Sequence, residues 1–353
     1  MSLHSYLIEQ LKKHPVMQPQ DFVKQCYQSA FGAEHLLKDI DRAKQYLQKE
    51  YESVIPSATT PLYEEISETV YRVNLSAWKE KQLPIDLLFQ LFVQSCTIST
   101  NGNELFLQYL DEATNIVKTE SVSFSFEQWE TFLEEYKKAG MPAIHHSESY
   151  RNKELPAYRI IKKEWIELLP ILKKVNKLHA VKPYGIIAID GRAGAGKTTL
   201  ANKLSHLLNA EIISMDDFFL PIPLRTKERL QSAGGNVHYE RFLEQVIPSL
   251  PLHIPFTYQI FDCSIMDYNN EKTIQNTGWC IVEGSYSQHP IFSSYADITI
   301  FVDVTKELQK ERILKRNGEK MAELFETKWI PMEEHYFKEF QIKENSDFVI
   351  TSK

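Results

Sequence analysis

The sequence is poor in the features that mark secreted, membrane-spanning and nucleic-acid-binding proteins. Its cysteines, Cys26, Cys96, Cys263 and Cys280, stand far apart without a C-x-x-C pair, which argues against a zinc site or a disulfide framework. No apolar run approaches the length that crosses a bilayer, and the N-terminus lacks a signal-peptide pattern. The net charge of −7 lacks the positive excess that nucleic-acid or membrane-surface binding requires. We therefore expect a cytoplasmic protein without nucleic-acid or membrane partners.

The first half of the chain has the periodicity of helices. Apolar residues recur at spacings of three and four, and proline-containing breaks separate the segments. This pattern predicts helices over Asp21–Ala30, Ala33–Tyr51, Tyr63–Trp78, Leu87–Cys96, Glu104–Val117 and Phe126–Lys138. A last long helix is predicted over Pro156–Lys177, which Pro170 should kink or divide. We expect an all-α domain over residues 1–180, whose role the sequence leaves open.

Short apolar runs replace this pattern in the second half. They predict strands at Ile186–Ile189, Glu211–Ser214, Trp279–Val282, Ile298–Val302 and Phe348–Thr351. Helices are predicted between several of them, at Thr198–Leu208, Tyr239–Val246 and Lys306–Arg316. Strands that alternate with helices imply an α/β domain over residues 181–353, with a parallel sheet covered by helices. Such sheets bind ligands at the carboxyl ends of their strands.

The first of these strands runs into a glycine-rich loop. Residues 191–198 read G-R-A-G-A-G-K-T and fit the G-x-x-x-x-G-K-[ST] phosphate loop at every fixed position. The glycines let backbone N–H groups turn around a polyphosphate, and the following helix adds its positive N-terminal end. Lys197 can reach the β- and γ-phosphates, and the Thr198 hydroxyl can be a magnesium ligand. The predicted ATP-binding residues are Gly191, Arg192, Ala193, Gly194, Ala195, Gly196, Lys197, Thr198 and Thr199.

Acidic residues follow two further strands. Asp216 can accept the proton of an attacking hydroxyl or hold a magnesium-bound water. Glu283 has the position at which an acid downstream of a phosphate loop coordinates Mg²⁺. A GTPase would instead show D-x-x-G and an N-K-x-D guanine reader, and Thr305–Leu308 lacks the aspartate of the latter. The interpretation as a GTPase is weaker for that reason.

The order of these motifs carries a family resemblance. The phosphate loop, Asp216 with Phe218 and Phe219, and Glu283 with Gly284 resemble the uridine kinase, phosphoribulokinase and pantothenate kinase superfamily over about residues 184–352. The resemblance implies a phosphate-loop kinase fold in which Asp216 is the catalytic base and Glu283 a magnesium ligand. Longer strings at 215–221, 234–242, 283–290 and 329–334 resemble a uridine kinase-like branch with an N-terminal helical domain.

Two further segments extend the resemblance. Tyr258 is similar to the tyrosine of the uridine kinase P-x-Y segment, although the histidine that follows it in uridine kinases has no counterpart in Gln259–Ser264. Arg312 and Arg316 resemble the lid that closes over the transferring phosphate in these kinases. They are four residues apart and can converge on one anion, while a solvated basic helix face is the alternative.

Basic and aromatic residues also surround the two glycines at 234–235. This segment is either an acceptor pocket that pairs a carboxylate or phosphate or an ordinary polar loop. A charged acceptor would use its arginines, whereas a nucleoside would need aromatic stacking. The expected acceptor-binding residues are Asp217, Arg225, His238, Tyr239, Arg241 and Tyr258.

A histidine-rich segment lies in the helical half, from His145 to Arg159. Adjacent histidines usually point apart, which favours a packed turn over a metal site. A second anion or partner site is the alternative, and the segment is close enough to the linker at 182–184 to reach the strand ends.

These patterns together predict a kinase that transfers the γ-phosphoryl group of ATP-Mg²⁺ to a hydroxyl of a small molecule. Asp216 would take the proton, Lys197, Arg312 and Arg316 would stabilise the transferring charge, and Thr198 with Glu283 would hold Mg²⁺. A pantothenate- or sugar-type kinase and an ATP-responsive regulatory protein remain alternatives to a uridine kinase-like enzyme. Whether the protein forms a homo-oligomer stays open.

Overall fold

The computed structural model describes residues 3–33, 37, 39–96 and 101–352. The chain divides into two compact units, Met1–Lys173 and Lys174–Lys353. Within the described ranges, no helix combines the length and the apolar character that crossing a membrane requires.

The N-terminal unit is mainly helical, as the periodicity predicts, and it also contains a small antiparallel sheet of three strands. Its helices are α1 (Leu3–Lys13), α2 (Pro19–Phe31), α3 (Ile40–Ser53), α4 (Leu75–Glu80), α5 (Ile85–Ser95), α6 (Gly102–Thr119), α7 (Phe126–Lys138), α8 (Glu148–Glu154) and α9 (Lys163–Ile166). Its strands are β1 (Tyr63–Glu65), β2 (Val70–Asn74) and β3 (Tyr158–Lys162), in the order β1-β2-β3. Buried aromatic rings such as Phe22 and Trp129, 5.7 Å apart, fill its core.

The sheet corrects two of the predicted helices. Tyr63–Trp78 is not one helix but β1, β2 and α4, and Pro156–Lys177 begins with β3 rather than with a helical turn. Val70 pairs with Lys162 and Asn74 with Tyr158, so each strand depends on a partner that is remote in sequence. That pairing overrides the local 3–4 spacing. The helical part of the segment is divided just before Pro170, because α9 ends at Ile166 and α10 (Leu169–His179) begins at Leu169 with Pro170 in its first turn.

Part of the predicted helix Ala33–Tyr51 falls on residues 34–36 and 38, which lie outside the described residues. The helix that the structure shows there begins at Ile40, where the Asp39 side chain accepts a hydrogen bond from the Arg42 N–H at 3.0 Å.

The C-terminal unit contains the predicted parallel sheet, with five strands in the order β10-β9-β4-β8-β5. Its strands are β4 (Gly185–Gly191), β5 (Glu211–Ser214), β6 (Phe256–Asp262), β7 (Asp267–Ile274), β8 (Trp279–Glu283), β9 (Ile298–Val304) and β10 (Phe348–Ser352). Its helices are α11 (Lys197–Leu208), α12 (Lys227–Gln231), α13 (Tyr239–Gln245), α14 (Lys306–Leu324), α15 (Ile330–Phe340) and α16 (Ile342–Asn345), with a π-helical segment, Phe325–Trp329, between α14 and α15.

The unit also contains an antiparallel hairpin, β6–β7, whose strands the apolar runs do not predict. Its outward residues are polar, and the pairing shifts by a bulge between Ile260 and Phe261. The hairpin contributes Tyr258 to a core that also contains Phe218 and Phe242. Through Tyr258 it reaches the carboxyl end of β5, where Asp217 lies.

Candidate functional site

The phosphate loop connects β4 to α11. The backbone at Gly191 has a φ of 137°, and a side chain there would overlap the carbonyl oxygen of Val302 on β9, so only glycine fits. The Lys197 ammonium donates to the carbonyl oxygens of Gly191 at 2.7 Å and Arg192 at 3.1 Å, and to Ser285 Oγ at 3.1 Å. The first N–H groups of α11 have no partner within the helix, so the loop and the helix end together offer an anion site.

Oxygen donors gather beside the loop at the ends of β5 and β8. Ser214 is in register with Glu283, and Ile189 of β4 pairs with the same residue, which brings three strand ends together. Thr198 Oγ1 lies 3.3 and 3.4 Å from the Glu283 carboxylate oxygens, and Ser214 Oγ donates to Oε1 at 3.4 Å. Burial, with 5% of Glu283 exposed, and the charge of Asp216 raise the pKa of Glu283, while Lys197 lowers it.

This donor set fits Mg²⁺ bound together with a nucleotide. Mg²⁺ prefers oxygen ligands and is usually held by one or two carboxylates plus phosphates and waters. Thr198 and Glu283 supply a hydroxyl and a carboxylate beside the phosphate loop. Among the described residues, no group of three or more His, Cys, Asp or Glu side chains could hold a metal by itself. The residues therefore match a metal that arrives with a polyphosphate rather than an all-protein site.

Asp216 lies just past β5, in a turn of 3₁₀ helix over Met215–Phe218. The residue is exposed to solvent, yet the protein around it desolvates the carboxylate enough to raise its pKa. The positive charges of Lys197 and Arg316 act in the opposite direction. The charges of Lys197 and Arg316 therefore act on the Asp216 carboxylate, and the charge of Asp216 acts on Glu283. We call Lys197, Thr198, Ser214, Asp216 and Glu283 the strand-end site.

The two arginines of α14 have different surroundings. Arg316 is exposed, its Nε donates to Asn317 Oδ1 at 2.8 Å, and its charge reaches Asp216. Arg312 donates to the Gly194 carbonyl oxygen at 3.2 Å and to Ser352 Oγ at 2.6 Å. Arg312 therefore braces the phosphate loop against β10, and the predicted convergence of the two groups on one anion is not what the structure shows.

Both predicted acceptor-binding arginines bind backbone carbonyl groups. Arg225 Nε donates to the Leu220 carbonyl oxygen at 2.7 Å. Arg241 is buried between the rings of Phe218 and Tyr268, 4.4 and 4.2 Å from their centroids, and donates to the carbonyl oxygens of Asp217 and Gln259. These contacts organise the loops around Asp217, and they engage Arg225 through Nε and Arg241 through both terminal nitrogens.

Side chains of the neighbouring loop also have partners within the unit. Arg229 forms a two-pronged ion pair with Glu240 at 2.7 and 2.9 Å, and its guanidinium lies 3.6 Å from the centroid of the Tyr239 ring, whose hydroxyl it also contacts. His238 hydrogen-bonds to the Tyr268 hydroxyl, and burial lowers the pKa of its imidazole. Tyr239 and His238 therefore have partners within the unit, and neither contacts the strand-end site in these interactions.

Asp217 and Tyr258 come together as the sequence suggests. The buried Tyr258 hydroxyl donates to Asp217 Oδ2 at 2.9 Å. Burial and the neighbouring Asp216 raise the pKa of Asp217, although the hydrogen bond from Tyr258 lowers it. A carboxylate that keeps a second oxygen for another donor lies beside the candidate base, which is a suitable place for an acceptor hydroxyl.

Sequence reasoning missed several acidic and polar residues at the loop. Asp190 is fully buried at the end of β4 and accepts hydrogen bonds from the N–H groups of Gly191, Tyr286 and Gln288 and from the Tyr336 hydroxyl. Burial raises its pKa to about 6. Glu333, which is 7% exposed, accepts from the Ala193 N–H at 2.9 Å, across a separation of 140 residues. Only the unassigned string at 329–334 pointed to Glu333.

The histidine-rich segment of the N-terminal unit is a packed turn. His146 is buried, with Nδ1 3.0 Å from Asp21 Oδ1 and Nε2 2.7 Å from the Tyr158 hydroxyl. Arg159 donates to Glu50 Oε2 at 2.6 Å, and Arg151 Nε donates to the His146 carbonyl oxygen at 3.0 Å. These contacts pair His146 and Arg159 within the unit and engage Arg151 through Nε.

Comparisons with known proteins find kinases. No family model matches the chain. A cytidylate kinase of Pyrobaculum calidifontis is 23% identical over 133 residues, which are 38% of this chain and 61% of that protein. The match therefore spans less than two thirds of that relative.

Solved structures are similar over about half of the chain. A "possible uridine kinase" from Bacillus stearothermophilus is 16% identical, with 51% of this chain and 99% of that chain covered at a TM-score of 0.38. Deoxyadenosine kinase from M. mycoides, with bound dCTP, is 17% identical over 47% of this chain and 89% of its own, at a TM-score of 0.23. With its motif order, its parallel sheet and a kinase as its sequence relative, the chain resembles the phosphate-loop kinases.

Proposed function

We propose that residues 181–353 form a kinase domain that transfers the γ-phosphoryl group of ATP to a hydroxyl of a small molecule. One observation carries this proposal. Asp216, a solvent-accessible carboxylate with a raised pKa, lies at a strand end within electrostatic reach of Lys197, Arg316 and Glu283. A carboxylate of raised basicity beside a polyphosphate site is suited to accept the proton of an attacking hydroxyl.

The other residues of the strand-end site have complementary roles in this proposal. The loop and Lys197 bind the triphosphate and offset its charge. Thr198 and Glu283 would hold Mg²⁺, which when bound neutralises phosphate charge. Arg316 would stabilise the charge on the transferring group from the side of α14. Asp217, held by Tyr258, would orient the acceptor.

The acceptor is proposed to be uncharged at the end that enters the site. Recognition of a phosphate or carboxylate would require guanidinium groups with donors to spare. Arg225, Arg229 and Arg241 instead bind backbone carbonyl groups and Glu240. Aromatic rings, Phe261 and Tyr268 among them, stand 6.0 Å apart beside these arginines. A nucleoside or a neutral sugar fits this surface better than pantothenate, because Arg229 is paired with Glu240 and Arg241 with two backbone carbonyl groups.

A phosphate acceptor is the second candidate, and the named relative favours it, since a cytidylate kinase acts on a nucleoside monophosphate. A protein that binds ATP without any acceptor is the third. The retention of both Asp216 and Glu283 beside the loop supports catalysis over binding alone.

A screen of acceptor-dependent ADP release separates these candidates. The purified full-length protein would be assayed with ATP and Mg²⁺ against nucleosides, neutral sugars, pantothenate, sugar phosphates and nucleoside monophosphates. ADP release that depends on a neutral hydroxyl compound supports the proposal. Turnover only with a nucleoside monophosphate would favour the second candidate, and ATP binding without turnover in any reaction would favour the third.

Asp217→Asn provides a sharper control for the acceptor assignment. If Asp217 orients the acceptor, this change should raise the KM for the acceptor more than the KM for ATP. Equal effects on both would contradict the assignment.

A further inference from the structure

Side chains of helix α15 contact the start of the phosphate loop at several points. Its Glu334 binds Arg192, with Oε1 2.7 Å from Arg192 Nε, and its Tyr336 donates to Asp190 at 2.9 Å. Its Glu333 accepts a hydrogen bond from the Ala193 N–H of the loop. The three residues thus contact Asp190, Arg192 and Ala193, at the end of β4 and the start of the loop.

Glu333 connects this helix to the lysine of the loop. Its Oε2 accepts from the Ala193 N–H at 2.9 Å, and its Oε1 accepts from Ser285 Oγ at 2.6 Å. Ser285 Oγ in turn accepts from the Lys197 ammonium at 3.1 Å. Lys197 and Glu333 are therefore joined through one hydroxyl group.

A buried anion needs such compensation. Burial raises the pKa of Glu333, and the charge of Lys197 together with the hydrogen bonds from Ser285 and Ala193 lowers it. An uncompensated carboxylate in this position would be strongly unfavourable, so the carboxylate and the ordered loop stabilise each other.

Both the N–H and the carbonyl group of Ala193 form hydrogen bonds with side chains. While its N–H donates to Glu333, its carbonyl oxygen accepts from Gln309 Nε2 of α14 at 2.9 Å. Arg312 of the same helix binds the next carbonyl, that of Gly194. Both helices that flank the π-helical segment thus fix the loop, and α14 also carries Arg316, which faces Asp216.

We propose that Glu333 is a positioning residue for ATP binding, which acts through Ser285 and the Ala193 N–H to hold the loop and Lys197 in the conformation that receives the triphosphate. This inference rests on the proposed function of the same loop. Since the role precedes chemistry, loss of Glu333 should weaken ATP binding and raise the KM for ATP, with a much smaller effect on kcat.

The test measures ATP binding by calorimetry, without an acceptor, in the full-length protein. Glu333→Ala should raise the Kd for ATP by about tenfold or more, because it removes two hydrogen bonds to a charged group. Glu333→Gln, which can still accept from Ser285, should recover part of the affinity. Glu339→Ala, an exposed change on the same helix, is the matched control and should bind ATP as the wild type does.

Because Glu333 acts through the Ser285 hydroxyl, we expect the effects of Glu333→Ala and Ser285→Ala on ATP binding to be coupled. Ser285→Ala should also weaken binding, and the double variant should lose less than the two single losses multiplied together. A purely structural role would lower the melting temperature of Glu333→Ala and leave the Kd of the folded protein unchanged, which would overturn the inference. Tighter binding in Glu333→Ala would overturn it too, since the carboxylate would then compete with the triphosphate. Failure of the wild type to bind ATP would instead refute the proposed function itself.

Discussion

The two units contain clusters of the same residue types with opposite electrostatics. In the N-terminal unit, Asp21 accepts hydrogen bonds from the Ser147 N–H at 2.9 Å, from Ser147 Oγ at 2.6 Å and from His146 at 3.0 Å. Burial alone would raise the pKa of Asp21, but these donors outweigh it and hold the pKa below the ordinary value. We call Asp21, His146, Ser147 and Tyr158 the buried polar cluster.

The carboxylates of the strand-end site have pKa values shifted in the opposite direction. Asp216 and Glu283 both have raised pKa values, because burial outweighs the charge of Lys197 at each, and the charge of Asp216 raises the pKa of Glu283 further. Asp21 has its full complement of donors, whereas the two acids of the strand-end site have too few. Carboxylates left short of positive partners are typical of sites that bind a cation or react, while saturated ones stabilise a fold. The direction of the carboxylate pKa therefore distinguishes the two clusters where the residue types do not.

Asp216→Asn should give the largest functional effect. The amide preserves the shape of the side chain but cannot take a proton, so we expect turnover to fall by roughly 10²–10⁴-fold with ATP binding retained. Calorimetry and ADP release measure the two properties. Asp217→Asn is the matched comparison, and if it has the larger effect on kcat, the base is Asp217. Asp21→Asn, in the buried polar cluster, should lower stability and leave kcat of the folded protein unchanged.

Lys197→Ala should give the second largest loss of turnover. The lysine binds loop carbonyl groups and Ser285 rather than core atoms, so its loss should leave the fold intact. Turnover should decrease on the order of 10²-fold or more, because the charge that stabilises the transferring phosphate is removed. Circular dichroism checks the fold, and wild-type turnover in a folded variant would show that this lysine is not part of the reaction.

The arginines of α14 provide a smaller and more selective contrast. Arg316→Ala should lower kcat by roughly 10-fold to 100-fold with little change in melting temperature, since Arg316 is exposed and its charge reaches Asp216. Arg312→Ala should lower the melting temperature, since its contacts with Gly194 and Ser352 hold the loop to β10. An unchanged kcat in Arg316→Ala would remove this residue from the proposed mechanism.

The pH dependence of stability should show the smallest effect and should differ in sign between the units. Burial lowers the pKa of His146 to about 4, so between pH 6.5 and 4 the unfolded state binds a proton that the folded state refuses. The stability of the N-terminal unit should therefore decrease as the pH falls through this range, by up to about 3 kcal/mol.

Asp190 makes the opposite contribution in the other unit. Its pKa is raised from 3.8 to about 6, so the folded state binds its proton first, and this contribution stabilises the unit as the pH falls between these two values.

Hydrogen exchange measured by mass spectrometry separates the two contributions, because it follows α2 and β4 independently. His146→Gln should flatten the pH dependence in α2, and the exposed His145→Gln should retain most of it. A dependence that survives in His146→Gln would assign it to another group.

The sequence predicts the C-terminal unit far better than the N-terminal one, for a physical reason. The five strands of the parallel sheet are continuous apolar runs that can be recognised locally. In the N-terminal unit, α7 has a comparable local signal, since the capping box of Ser125 and Gln128 marks its start at Phe126. Strands β2 and β3 have no such signal, since their stability comes from pairing with each other.

The same distinction applies to the candidate site. Lys197, Thr198, Asp216 and Glu283 stand in motifs with fixed spacing, so their proximity could be predicted. Glu333 contacts Ala193 across 140 residues, and the partners of Arg225 and Arg241 are backbone carbonyl groups, which leave no mark on the residue pattern. Side chains that serve the loops cannot be told from side chains that serve a ligand until the contacts are known.

The strand order has a consequence for synthesis on the ribosome. β4, which carries the phosphate loop, lies in the middle of the sheet, between β8 and β9. Both neighbours are translated about a hundred residues later. The backbone N–H and C=O groups along both edges of β4 therefore have no strand to pair with until β8 and then Ile298–Val304 have been synthesised. Messages cut short before β9 would release an apolar, aggregation-prone strand, and a pause in translation between β4 and β8 would lengthen the need for a chaperone.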